Sequence, residues 1–224
     1  MATTTHDAGE APVSHHFFTA LWAAAALGLL VQGLVIAVRL AAGQPPQAVQ
    51  AAIDIAGGIS WSVIVCGALS LGVTASKQVG EMSMGLLGLL GAPAGFSIAK
   101  GAQRGIQWLA DKPFDQIGPL VFVTGGLKTA EYALLGYALF KLIGTERSTA
   151  RNHALLGAGV GLVFGGAIVL ANIRMAAAPL PGVKVASLAT NEMIFPIGCS
   201  ILIYWLARLT QSKKGALKQL FAAD

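Results

Sequence analysis

Long apolar segments recur along almost the whole chain, and they constrain its fold more than any other feature of the sequence. A helix needs about 20 apolar residues to cross the hydrocarbon core of a bilayer. The segments therefore predict an all-α fold, a polytopic membrane helix bundle with about six transmembrane helices. The predicted spans are residues 17–38, 51–75, 82–99, 117–143, 154–171 and 185–206.

Composition favours a membrane protein over a soluble one. Hydrophobic residues make up 55% of the 224 residues and charged residues only 11%, whereas a soluble domain carries about a quarter charged residues. The net charge of +5 comes from basic residues scattered between the apolar segments, where they would face anionic headgroups. No basic patch interleaved with aromatic residues is present, so we expect the lipid bilayer as a partner and no nucleic acid.

Polar segments flank the predicted membrane domain, residues 17–208. Residues 1–16 are expected to form a flexible polar tail, and residues 209–224 a basic amphipathic tail on the membrane surface. The first apolar segment lacks the basic start of a secretory signal, so we expect it to remain as a helix. Basic residues favour the cytoplasmic side, so the C-terminus is expected there, in a prokaryotic plasma membrane. Interfacial positions are expected for Asp54, Trp61, Trp108, His153, Asn172, Arg174 and Trp205.

The third predicted span, residues 82–99, is short and rich in glycine, and it contains Pro93. It is compatible with a crossing, a kink or a re-entrant segment. The residues that follow are amphipathic, because Lys100, Gln103 and Arg104 share one helical face and apolar residues share the other. This pattern predicts an interfacial amphipathic helix after the third span, or a long protruding end of that span.

Two charged residues, Lys128 and Glu131, lie near the centre of the fourth predicted span. A lone charge at the centre of a bilayer costs about 3 kcal/mol on insertion scales. Residues three apart on a helix can meet directly, so the two charges can neutralise each other at a helix contact. Intramembrane ionisable residues also line ion and proton pathways, so the two residues are equally a candidate functional site.

The last predicted span contains Asn191, Glu192 and Pro196, which are further candidates for an ion site. Proline has no N–H group, so the carbonyl oxygen of Glu192 loses its helical donor. One interpretation is a broken helix whose free carbonyl oxygens hold a cation, as in transporters. The other is an ordinary proline kink in which Glu192 pairs with a basic residue such as Lys128. We expect a cluster of Lys128, Glu131 and Glu192.

Three glycines in the fifth predicted span, Gly157, Gly161 and Gly165, recur at every fourth position. Small residues at this spacing let helices approach closely. The pattern predicts a packing face, and such glycine-rich faces are expected to bind a protein partner or a second copy of the chain. It is not a dinucleotide fingerprint, because no strand precedes it.

Residues 124–208 faintly resemble intramembrane metalloproteases of the CAAX-protease type. A span with an acidic centre is followed by a short basic loop, a glycine-rich span and a last span that begins with polar residues. Those proteases carry paired glutamates and a further histidine or glutamate in later helices. Here Glu131 has no adjacent glutamate, and His153 lies at the mouth of the glycine-rich span. The resemblance therefore implies a non-catalytic member and assigns no family.

The sequence contains few residues in patterns typical of catalytic sites. Motifs typical of serine hydrolases and zinc proteases are absent, Cys66 and Cys199 fit no zinc spacing, and no span has a central histidine for haem. We therefore expect no enzyme, no cofactor and no metal. The first expectation is a non-enzymatic subunit or scaffold of a membrane complex. The second is a small ion- or proton-coupled transporter or channel that uses Lys128, Glu131 and Glu192, and the third is a degenerate intramembrane protease.

Overall fold

The structure, a computed structural model, describes residues 11–79, 83–114 and 118–220, with side chains described for 18–73, 83–114 and 118–209. The described residues form six helices and no strand. The fifth helix contains one π-helical turn, Gly161–Gly165, between two α-helical segments. The six are helix 1 (Ala11–Ala41), helix 2 (Ala48–Val79), helix 3 (Ser83–Leu109), helix 4 (Pro119–Leu142), helix 5 (Ala150–Met175) and helix 6 (Gly182–Leu220).

Four of these helices are long and apolar enough to cross a membrane. Their apolar stretches are Phe18–Ala41, Ala48–Val73, Ala150–Met175 and Gly182–Leu209, in helices 1, 2, 5 and 6. Each stretch exceeds the length of about 20 residues that a bilayer core requires. Helices 3 and 4 are not among these four. The prediction of an all-helical membrane bundle is confirmed.

The six helices form a ring in chain order, which helix 1 closes by packing against helix 6. Neighbouring helices are antiparallel. The end of helix 1 meets the start of helix 2 at an ion pair between Arg39 and Asp54, and Gln32 of helix 1 meets Asn191 of helix 6. Helices 2, 4 and 6 also touch one another across the centre. The loops after helices 1, 3 and 5 therefore share one side of the bundle.

Local sequence signals set the helix ends. Helix 4 begins with Pro119 at its first position, where the missing N–H group costs no hydrogen bond. Thr149 caps helix 5, because its hydroxyl accepts a 3.2 Å hydrogen bond from the backbone N–H of Asn152. Gly43 and Gly144 follow helices 1 and 4 with φ angles of 69° and 99°, which glycine adopts without strain. These turns bring consecutive helices side by side.

Five of the six helices extend beyond the predicted spans, and helices 1, 3 and 6 do so by six residues or more at one end. Helix 3 continues through Pro93 to Leu109, so the amphipathic segment predicted after the third span is the long end of that helix rather than a separate one. Helix 1 begins at Ala11, inside the predicted N-terminal tail, and helix 6 continues to Leu220, inside the predicted C-terminal tail. Several residues of the predicted segments lie outside the described part of the chain: 1–10, 82, 117 and 221–224.

Apolar side chains fill one half of the bundle, on the side where helix 1 starts. Leu69 of helix 2, Leu135 of helix 4 and Ile203 of helix 6 are completely buried there. The thiol sulfurs of Cys66 and Cys199 lie 3.3 Å apart in the same region and join helix 2 to helix 6. This half is a continuous packed core, which we call the closed half.

Glycines bring helix 5 against helix 6. A Cβ atom at Gly157 would lie 2.5 Å from the carbonyl oxygen of Pro196, and one at Gly165 would lie 2.8 Å from that of Glu192. A Cβ at Gly161 would also lie 2.8 Å from a carbonyl oxygen of helix 6. Real Cβ atoms do not approach this closely, so side chains at these positions would separate the helices. The three glycines thus hold the Pro196 region against the π-helical turn.

Candidate functional site

A cavity of about 390 Å³ lies at the centre of the bundle, and all six helices line it. We call it the central cavity. Its lining extends from Arg39, Asp54 and Lys184 near helix ends to Lys128 and Glu192, which lie about 15 Å along their helices. The cavity therefore opens on the side of the loops that follow helices 1, 3 and 5. Its volume is typical of small-molecule sites.

An ion pair forms the deep end of the central cavity. The ammonium nitrogen of Lys128 lies 2.5 Å from Oε2 of Glu192, and both side chains are buried. The amide of Asn191 donates a 3.1 Å hydrogen bond to Oε1 of Glu192, and Gln32 donates a 3.0 Å bond to Asn191. One polar network therefore joins helices 1, 4 and 6, and both carboxylate oxygens of Glu192 are hydrogen-bonded.

Three aromatic rings form the floor beneath this pair. Rings of Trp61, Tyr132 and Phe195, from helices 2, 4 and 6, have centroids 5.3 to 6.3 Å apart in tilted or edge-on contacts. The Lys128 ammonium lies 4.8 Å from the Trp61 ring centroid, which is a cation–π distance. The predicted interfacial position of Trp61 is wrong, since its side chain is 8% exposed. The other two tryptophans predicted as anchors are exposed at the bundle surface: Trp108 and Trp205.

Glu131 lies behind the aromatic floor and does not line the central cavity. Its side chain is 0% exposed, and neither carboxylate oxygen has a hydrogen-bond partner. The direct pairing with Lys128 that the spacing allowed is not formed, because Lys128 pairs with Glu192 instead. Glu131 is thus placed within one helical turn of Lys128, on the side of the closed half.

Basic side chains outnumber acidic ones in the wall of the central cavity. Arg39 lies 3.3 Å from Asp54 near the entrance, and Gln50 donates a 2.9 Å hydrogen bond to the same carboxylate. The lining contains four basic and two acidic side chains, which leaves an excess of two positive charges. Clefts with an excess of one charge attract ions of the opposite sign. The six are Arg39, Lys100, Lys128 and Lys184, with Asp54 and Glu192.

Gln32 and Ser187 are among the lining residues that were not predicted from the sequence. Ser187 is 4% exposed, and its hydroxyl has no hydrogen-bond partner among protein atoms. A buried hydroxyl without a partner costs free energy, and this one belongs to a residue in the cavity wall. Gln32 could have been identified from the sequence, since it is a lone polar residue in the middle of an apolar segment. Ser187 could not, because serine is common near the start of a helix.

Pro196 does not break helix 6. The helix is continuous from Gly182 to Leu220, so the interpretation of a broken helix with an exposed ion-binding backbone is wrong. Pro196 does not line the central cavity and is buried against helix 5. The carbonyl of Glu192 still lacks a helical donor, but it lies against Gly165. The candidate site is therefore built from side chains.

The residues behind the protease resemblance are not brought together. Within the described ranges, no three His, Cys, Asp or Glu side chains are grouped to hold a metal ion. His153 is completely buried rather than interfacial, with Nδ1 2.9 Å from the carbonyl oxygen of Thr149. Its ring packs against Tyr204, with centroids 4.9 Å apart. In that part of the chain, the residues that carried the resemblance therefore do not form a common cluster.

Comparison of the chain with protein families, curated proteins and solved structures finds no match. The central cavity is the candidate functional site. Its main elements are a buried ion pair, an unpartnered hydroxyl and an excess of positive charge.

Proposed function

We propose that the protein is a small membrane transporter that binds an organic anion in the central cavity. The observation that carries this proposal is the Lys128–Glu192 ion pair at the deep end of an open cavity. Buried ion pairs stabilise little, and well-packed apolar residues would hold helices 4 and 6 together as well. Charges kept at this depth and facing a cavity are typical of substrate and ion pathways.

The charge and size of the central cavity favour a small anion. Four basic residues against two acidic ones attract negative solutes. Lys128 is the deepest of the four and would act as the counter-ion of the bound solute. The unpartnered hydroxyl of Ser187 would supply a hydrogen bond. Glu192 competes with the solute for Lys128, so binding and loss of the ion pair would be coupled.

Access to the cavity is one-sided in this structure. The aromatic floor and the closed half separate the cavity from the opposite side of the bundle. With the C-terminus in the cytoplasm, as the basic C-terminal segment favours, the cavity would open away from the cytoplasm. Transport would then require the floor of Trp61, Tyr132 and Phe195 to separate while the entrance closes, as in alternating access.

Glu131 is our candidate for the proton-carrying residue of this cycle. Its carboxyl group is completely buried and lacks a hydrogen-bond donor, and an ionised carboxylate in such a position is costly. Lys128 lies three residues away on the same helix, within reach of a direct contact. When a solute anion or a proton displaces Glu192, Lys128 would turn towards Glu131. This change of partner, from Glu192 to Glu131, would couple solute binding in the central cavity to the closed half. It requires no enzymatic chemistry and no cofactor.

Thermal unfolding of the purified protein in detergent tests the proposal. The probes are phosphate, acetate, lactate and succinate, with choline as a cationic control. We expect at least one anion to raise the unfolding temperature, and Lys128→Gln to abolish the increase. Lys112→Gln, an exposed residue outside the cavity, is expected to retain it, and proteoliposomes should take up the same anion. The absence of any anion effect, or its persistence in Lys128→Gln, would contradict the proposal.

A non-enzymatic subunit of a membrane complex is the second candidate. The observation that favours it is the outer face of helix 5, where Cβ atoms at Gly159 and Gly166 would meet no atom within 4 Å. Exposed small residues let a partner helix approach closely. Purification in a mild detergent tests this role. A companion chain or a second copy that Gly159→Leu displaces would support it, whereas a monomer active in uptake would contradict it.

A further inference from the structure

A second cavity of about 540 Å³ lies between helices 3 and 4, and we call it the lateral groove. Its deeper part is lined by Pro93, Phe96 and small residues of helix 4, Gly125 and Gly126. Its other part, towards the end of helix 3, is polar and contains Lys100, Gln103, Arg104 and Gln107. The groove is therefore apolar at one end and basic at the other.

Packing of helices 3 and 4 explains why the groove exists. Near the closed half, a Cβ atom at Gly88 would collide with the backbone carbonyl of Tyr132, so the two helices touch there. Towards the groove, Cβ atoms at Gly101 and Gly126 would meet no atom within 4 Å. The helices thus meet at one end and separate at the other, and the gap is wide enough for a chain-like ligand.

We propose that the lateral groove binds one phospholipid with an anionic headgroup. Its lining contains two basic residues, Lys100 and Arg104, and no acidic residue. These residues lie about 14 and 8 Å from the end of helix 3 at Leu109. Basic side chains near the membrane surface attract anionic lipids, and the apolar part between the helices accommodates an acyl chain.

The position of Trp108 is consistent with this placement. Its side chain is 68% exposed, one turn beyond Arg104, and exposed tryptophans favour the headgroup region. The polar part of the groove would then lie just below the headgroups, where a lipid phosphate can reach it. The lateral groove and the central cavity share a wall that includes Phe96, Lys100 and Val121. A bound lipid would therefore lie against the wall of the central cavity.

Native mass spectrometry of the purified protein tests this site without any transported solute. The protein would be titrated with phosphatidylglycerol or with phosphatidylcholine of the same acyl chains. We expect one tightly retained phosphatidylglycerol per chain and weaker retention of phosphatidylcholine. Arg104→Gln, which removes a charge that lines only the groove, should weaken phosphatidylglycerol binding about fivefold.

Two further variants separate binding in the groove from general lipid contact. Gly126→Leu is expected to fill the apolar part and displace the lipid, while leaving the basic residues in place. Gly105→Leu is the matched control, because Gly105 also has open space around it but does not line the groove. Equal retention of the two lipids, unchanged binding in both Arg104→Gln and Gly126→Leu, or equal loss in Gly105→Leu would overturn the proposal.

Discussion

The ammonium group of Lys128 lies 2.5 Å from a carboxylate oxygen of Glu192, and this contact joins helix 4 to helix 6 at the floor of the central cavity. Asn191 holds the other carboxylate oxygen, and the Trp61 ring lies against the ammonium group. Gln32 donates a hydrogen bond to Asn191, so these contacts together link helices 1, 2, 4 and 6 through side chains alone. Loss of the Lys128–Glu192 ion pair should change both the unfolding free energy and solute binding, and the two effects can be measured separately.

Removal of Lys128 alone should destabilise the bundle strongly. Lys128→Met leaves the carboxylate of Glu192 buried without its cation, a change that costs about 3 kcal/mol of unfolding free energy or more. In the double variant Lys128→Met, Glu192→Gln the uncompensated charge is gone, so its loss should be smaller than the sum of the single losses. Unfolding in detergent–denaturant mixtures measures this coupling. Additive losses would show that the ion pair is not an interacting unit.

Replacement of Glu131 should have a different effect. Glu131→Gln breaks no hydrogen bond, because neither carboxylate oxygen has a partner. We expect a loss of about 1 kcal/mol, because the buried amide of glutamine also lacks partners, and a larger loss for Glu192→Gln, which breaks existing contacts. Proton-dependent uptake in proteoliposomes should nevertheless be lost if Glu131 carries the proton. A stability loss as large as that of Glu192→Gln would assign Glu131 a structural role instead.

Two glycines of helix 5 provide a matched test of helix packing. A Cβ atom at Gly157 would lie 2.5 Å from the Pro196 carbonyl oxygen, whereas one at Gly159 would meet nothing within 4 Å. Gly157→Ala should therefore lower the unfolding free energy by about 2 kcal/mol. Gly159→Ala should leave it unchanged or raise it by up to about 1 kcal/mol, because alanine favours helices. Similar unfolding temperatures for the two variants would contradict the close contact with helix 6.

The two cysteines provide a test of how helices 2 and 6 pack in the closed half. The sulfur atoms of Cys66 and Cys199 lie 3.3 Å apart and join helices 2 and 6. A membrane-permeable oxidant such as iodine should form an intramolecular disulfide, detected as the loss of two hydrogen atoms in the intact mass. Cys199→Ser should prevent the reaction. Two thiols that remain free after oxidation would show that helices 2 and 6 are further apart than described.

The sequence predicts the helical bundle and part of the candidate site, for a common physical reason. Charges are so costly in lipid that Lys128 and Glu192 are visible as exceptions in apolar segments. The same cost makes their pairing a sound expectation. The spacing of Lys128 and Glu131 within one helix does not identify the ion pair, because Lys128 could pair with either Glu131 or Glu192. Helix packing determined that it faces Glu192 rather than Glu131.

The cavity itself could not be predicted, because it depends on how all six helices pack. Ser187 becomes a candidate ligand only because no protein atom reaches its hydroxyl. Trp61 looked like an interfacial anchor, yet the ring of helices places it at the cavity floor. Pro93 and Pro196 suggested breaks, but both helices continue through them. Neighbouring helices can supply hydrogen-bond partners to the backbone groups that proline leaves unpaired, so a proline alone does not predict a broken helix.

Reaction of a cysteine at position 187 tests the central claim most directly. In a chain with Cys66→Ala and Cys199→Ala, Ser187→Cys would be treated in oriented vesicles with membrane-impermeant thiol reagents, one anionic and one cationic. Ser200→Cys is the matched control, because Ser200 is also buried in helix 6 but lies outside the cavity. We predict that Ser187→Cys reacts from the side opposite the C-terminus, several-fold faster with the anionic reagent because of the cavity's positive charge, and that Ser200→Cys does not react. An unreactive Ser187→Cys, or one that reacts faster with the cationic reagent, would contradict an open cavity selective for anions.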